Sequence, residues 1–117
     1  MESILHSIKQ LLGVNPEYTF FDEELIMHIN AVFMILSQLG VGPANGFSIT
    51  SSTEKWEDFL GEDISKLELV KSYVYLKVRM MWDSGITSAT VNSLNNMIQE
   101  YEWRLNVRAE SEVTPDE

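Results

Sequence analysis

The sequence predicts an all-α fold, a small helical bundle of three longer helices and two short ones with one glycine-rich loop and a short extended arm. Three observations carry that expectation. Apolar residues recur every three to four positions over most of the chain, the spacing of one helix face. Helix breakers are gathered at a few points, Gly13–Pro16, Gly40–Gly46, Gly61 and Gly85, so the periodic stretches are long and cleanly bounded. Phe47-Ser48-Ile49-Thr50 alternates like a short strand, which places the extended arm in the loop. No repeat divides the 117 residues, which make one domain over residues 1–108 with a disordered acidic tail at 109–117.

Ser3–Leu12 is the first short helix, with Ile4, Leu5, Ile8, Leu11 and Leu12 at helical spacing and Gly13 as its stop. The second begins near Thr19, whose hydroxyl caps it, while Asp22, Glu23 and Glu24 complement the helix dipole. Leu25, Ile29, Val32, Phe33, Leu36 and Leu39 form its core stripe, and Ile26, Met34 and Ile35 add apolar surface on other sides. Thr53 caps a brief helix ending at Leu60, with Trp56, Phe59 and Leu60 inward. Asp63 opens a long helix to about Trp82, lined by Leu67, Val70, Val74, Val78 and Met81, with Glu68, Ser72, Tyr75 and Arg79 on its polar side. After a turn at Asp83-Ser84-Gly85, Thr87 or Ser88 caps the last helix, which runs to roughly Arg108.

Charge and composition exclude several classes. Acidic residues outnumber basic ones 18 to 8, a formal charge of -10, which argues against tight binding to phosphate backbones. The absence of cysteine rules out disulfides and thiolate metal sites and fits a reducing compartment. Met1–Gly13 has Glu2 where a signal peptide would carry positive charge, and the longest apolar run, Ala31–Leu36, is far below the roughly 20 residues of a membrane span. A non-secreted protein without a membrane partner is expected.

No catalytic or metal-binding pattern emerges. His6 and His28 do not form the two-histidine helical pair of a zinc site, and His28 reads as a structural residue of an apolar helix. The acidic clusters at Asp22–Glu24, Glu57-Asp58 and Glu62-Asp63 sit at helix starts or on solvated faces. Gly40-Val41-Gly42-Pro43 follows a helix instead of preceding one, so it cannot aim amide N–H groups at a phosphate. The expectation is a protein that is not an enzyme, needs no cofactor and works by self-association.

Two surfaces carry that expectation of assembly. On the last helix Val91, Leu94, Ile98, Tyr101 and Leu105 share the core face, while Asn92, Asn96, Gln99, Trp103 and Val107 fall on the opposite one. That back face holds a tryptophan and no charge, where a solvated face would mix lysine and glutamate. Met27 and Met34 give the second helix a similar surplus. Gly40, Gly42, Pro43, Gly46, Phe47 and Ile49 form a loop whose composition suits a segment that orders on assembly.

Several strings resemble the tailed-bacteriophage head–tail connector (adaptor) family: "DEELIMHINAVFMILSQLGVG" at Asp22–Gly42, Trp56–Gly61, "SYVYLKVRMMWD" at Ser72–Asp83 and "EYEWRLNV" at Glu100–Val107. The order and spacing of these blocks extend the resemblance over most of the chain, about residues 3 to 108; they are core and interface patterns, and none is a catalytic signature. The resemblance implies a homo-oligomeric ring of about a dozen copies beneath the portal protein. Such a ring would extend the DNA channel and dock a downstream neck or tail-completion protein. It also implies residence in the virion neck, and in the bacterial host cytoplasm before assembly. An acidic wall lets DNA pass without binding it. The competing expectation is a cytoplasmic acidic adaptor, or a nucleic-acid-mimicking inhibitor of a basic partner.

Overall fold

The computed structural model describes residues 2–61, 65–82 and 85–113, with side chains through Val107. Five helices follow in order: α1 (Ile4–Leu12), α2 (Asp22–Gln38), α3 (Trp56–Leu60), α4 (Leu67–Trp82) and α5 (Ser88–Val113). The central element is α4, with α2 and α1 packed on one part of it and α5 on another. Its apolar stripe is correspondingly wide: Val70, Tyr73, Val74, Leu76 and Val78 are all buried. Met81, expected in that stripe, is exposed on the last turn.

The expected stripe of α2 is buried from Leu25 to Leu36, with Leu39 half-buried. Ile4, Leu5 and Ile8 of α1, and Trp56 and Phe59 of α3, complete that side of the core. Ser3 caps α1 by accepting from the His6 N–H at 3.2 Å. Gly13 ends the helix at φ +84°, in the left-handed region that glycine adopts most cheaply, and its N–H reaches the Gln10 carbonyl.

Local starts differ from expectation at two helices. Thr19 does not cap α2 with its hydroxyl; its carbonyl accepts from the Asp22 N–H at 3.1 Å, and the cap position falls to Phe21. Asp22 is drawn elsewhere: its carboxylate takes the Lys9 ammonium at 2.7 Å. Nor does Thr53 cap α3. The backbone of Glu2–Ile4 pairs with Glu54–Trp56, through Ile4 N–H to Glu54 O and Trp56 N–H to Glu2 O, and holds those residues extended. The helix therefore starts one residue after Lys55, whose N–H donates to Asp58 at 2.8 Å. Thr87 does cap α5, accepting from the Thr90 N–H at 3.2 Å.

The segment Phe47–Thr50 is no strand; among the described residues there is only one isolated bridge, between Ser3 and Lys55. Its pairing comes from a side chain instead. The Asn30 amide donates to the Ile49 carbonyl at 3.0 Å and accepts from the Ile49 N–H at 2.8 Å, standing in for a neighbouring strand. The start expected at Asp63 lies outside the described residues, as does most of the Asp83–Gly85 turn. α5 runs to Val113, where an unstructured segment is expected from Ala109. Residues 109–113 hold no glycine or proline that would break the helix.

Candidate assembly surfaces

The buried polar groups show first what the molecule uses for itself. Lys9 is wholly buried on α1, its ammonium donating to the Pro16 carbonyl (2.8 Å), the Tyr18 carbonyl (2.7 Å) and Asp22 (2.7 Å). All three ammonium protons are thereby satisfied, and the α1–α2 connection is tied to α1. The Trp56 indole N–H donates to the buried Ser7 hydroxyl at 2.8 Å, which passes its own proton to the Ile4 carbonyl. On α4, burial and then the adjoining Glu102 carboxylate raise the Tyr73 hydroxyl beyond its ordinary range, so it stays protonated and donates to Glu102 at 2.7 Å. Lys77 approaches the same carboxylate at 3.9 Å.

None of these arrangements resembles a reaction centre. His28 is half-buried, its Nε2 lying 3.5 Å from Glu24 without hydrogen-bond geometry, and His6 stands apart on α1. Among the described residues no three His, Asp or Glu side chains converge to hold a metal ion. No described helix is long and apolar enough to cross a membrane.

The outward surfaces are more informative. α5 packs mainly on α4, through Leu94, Ile98 and Leu105. Its opposite face is open along its length: Asn92, Asn96 and Gln99 are exposed, Trp103 is 67% exposed, and Val107 lies beside it. From Asn92 to Val107 this uncharged face runs about 22 Å along the helix.

A second uncharged stripe lies on α2. Met27 and Met34 are 62% and 63% exposed, and Ala31 and Gln38 continue the same line at helical spacing. The structure does not bring the two surfaces together: α2 and α5 each pack on α4 and present different sides to solvent. Of the loop residues, Gly40, Gly42 and Pro43 are exposed, Gly46 and Phe47 are half-buried, and Ile49 is buried. Phe47 meets Phe33 and Phe59 edge-on at 5.2 and 5.3 Å. The loop's two large apolar side chains are thus folded onto the body of the single chain.

One surface escaped the sequence reading. Tyr18, Phe20, Phe21 and Trp82 form a chain of ring contacts, with centroids 5.0 Å apart for Phe20–Phe21 and 5.5 Å for Phe21–Trp82. Phe20 is 77% exposed. Beside this ridge a groove of about 280 Å³ is lined by Leu11, Leu12, Tyr75, Arg79 and Trp82. A signal was present: three aromatics within four residues, just after Pro16 and before the helical pattern, have no periodic core to enter.

A family model described as "Phage connector protein" matches residues 4–112. No curated protein and no solved structure matches the chain.

Proposed function

The chain belongs to the phage connector protein family, and from that premise we infer that it is a head–tail connector that closes into a ring under the portal of a tailed phage. There it lines the DNA exit channel and docks a neck or tail-completion protein. The observation that carries the ring is the uncharged outer face of α5. In a chain with formal charge -10, five outward positions from Asn92 to Val107 avoid charge altogether, and the largest is an exposed tryptophan. Solvent does not call for that pattern, and it supports contact with another protein.

The exposed stripe of Met27, Ala31 and Met34 supplies a second, different patch on another side of the molecule. Two unlike patches on one chain favour head-to-tail association, which gives a ring when the rotation closes. The acidic body supports the role of conduit wall, because like charge keeps a passing phosphate backbone from being captured.

Native mass spectrometry over a concentration series tests this reading. Closed oligomers of about a dozen subunits are expected, and Trp103→Glu should weaken each subunit contact by about 2 kcal/mol or more, roughly thirtyfold per interface. Oligomers unaffected by that substitution would remove α5 from the interface.

A further inference from the structure

We propose that the groove between α1 and the end of α4, with the aromatic ridge beside it, seats the acidic segment Ala109–Glu117 of a second copy of this chain. This rests on the assembly reading above and gives the subunit contact a direction.

The groove offers two chemistries side by side. Its apolar part is Leu11, Leu12, Tyr75 and Trp82, extended by the exposed ring of Phe20. Because Phe20 is braced edge-on by Phe21, and Phe21 by Trp82, the ridge is presented in a fixed arrangement that loses little freedom on binding. Its polar part is Arg79, whose guanidinium only grazes the Tyr75 hydroxyl at 3.4 Å.

Among the described residues no carboxylate lies within ion-pair distance of Arg79, although acids outnumber bases by more than two to one. On the same helix Lys71 and Lys77 do have carboxylates, Glu2 and Glu102. Asp83, four residues on in sequence, lies outside the described residues.

The segment Ala109–Glu117 complements both chemistries. It carries Glu110, Glu112, Asp116 and Glu117 with no base, and it places Val113 and Pro115 between them. Arginine suits such a partner because its planar fork binds a carboxylate through two hydrogen bonds.

The same chain cannot make this contact. The short connection makes α4 and α5 antiparallel, with Glu102 opposite Tyr73 and Lys77. Val113 therefore lies about 16 Å beyond that point along the axis, while Arg79 lies a turn the other way. The four residues from Val113 to Glu117 span at most about 14 Å, too little to cover the return.

A neighbour can. The α2 stripe runs from Gln38 through Met34 and Met27 toward Phe20 at the helix start. A second copy's α5 laid antiparallel along it brings Asn92 near Gln38 and carries Val107 toward Phe20. The acidic segment then enters the groove.

The test uses a fluorescein-labelled peptide of residues 107–117, titrated with the full chain to about 1 mM, the effective concentration a tethered segment reaches. Anisotropy should show saturable binding that Arg79→Ala and Phe20→Ser each weaken by about tenfold or more. Arg79→Lys should restore part of the affinity, and a peptide with its four acids replaced by amides should not bind. Absence of saturable binding would overturn the proposal. So would equal binding of an unrelated peptide of the same charge, or indifference to both substitutions in variants that keep the wild-type circular dichroism.

Native mass spectra of the same samples separate the two readings. Rings without peptide binding overturn the groove assignment alone, and peptide binding without any oligomer leaves the groove and overturns the ring.

Discussion

Lys9 shows how one residue can close a part of the fold that apolar patterning leaves open. Its three hydrogen bonds hold the loop at Pro16 and Tyr18 and the first residue of α2 against α1, with no exposure to water. Removing it leaves two carbonyls and a carboxylate without their donor. Lys9→Met should therefore cost about 3 kcal/mol in urea denaturation, despite its similar volume. Asp22→Asn, which keeps the ammonium and both carbonyl bonds, should cost less. Gly42 gives a second residue-level outcome. It has φ +94°, and a Cβ built there would clash with the edge of the Phe59 ring. Gly42→Ala should cost about 2–3 kcal/mol, whereas Gly13→Ala, equally left-handed but open around the Cβ, should cost about 1 kcal/mol. The sequence does not single out Lys9, although it stands at helical spacing from Leu5 and Leu12; its partners come from irregular backbone, which has no period to read.

At the scale of elements, the helix-forming stripes were legible because each pairs a 3.6-residue period with an obvious stop. Leu25–Leu36 and Val70–Val78 are buried as that period requires. The starts were less so. A threonine at the right distance is an invitation to cap, but at Thr19 and Thr53 tertiary contacts settle the backbone first. The composition of the loop after α2 suits a segment that orders on assembly and carries a strand-like arm; in the single chain the Asn30 clamp takes the place of the strand. Asn30→Ala should destabilise the chain by about 2 kcal/mol and open the amide of Ile49 to hydrogen exchange.

The same loop carries a pH response. Burial pushes the Glu54 carboxyl up, but hydrogen bonds from the Thr50 N–H and hydroxyl and from the Ser51 N–H outweigh it and hold the group below its ordinary value of 4.5. A carboxylate lowered in this way stabilises the fold above the unfolded value and loses that contribution as pH falls through the folded one. The Thr50 and Ser51 amide resonances should accordingly titrate together with a midpoint below 4.5, and Glu54→Gln should remove the transition.

For the whole molecule, the governing fact is a mismatch between a strongly acidic chain and the uncharged tracts it leaves on α2 and α5. The back face of α5 was legible because helical geometry alone sorts Asn92, Asn96, Gln99, Trp103 and Val107 onto one side. The aromatic ridge was not, because it is assembled from a loop and the far end of α4, which share no sequence period. Assembly predicts a distinct pattern of motion. α5 is held chiefly by one neighbour, so its amides should exchange faster than those of α4 in the free chain and slow on oligomerisation.

The most direct measurement of the central claim is electron microscopy of negatively stained protein at the highest attainable concentration. Closed rings of about a dozen subunits around an open channel are the predicted result. A discrete twofold dimer, in which identical patches face each other and no channel exists, would contradict it and favour an acidic adaptor that occupies a basic partner.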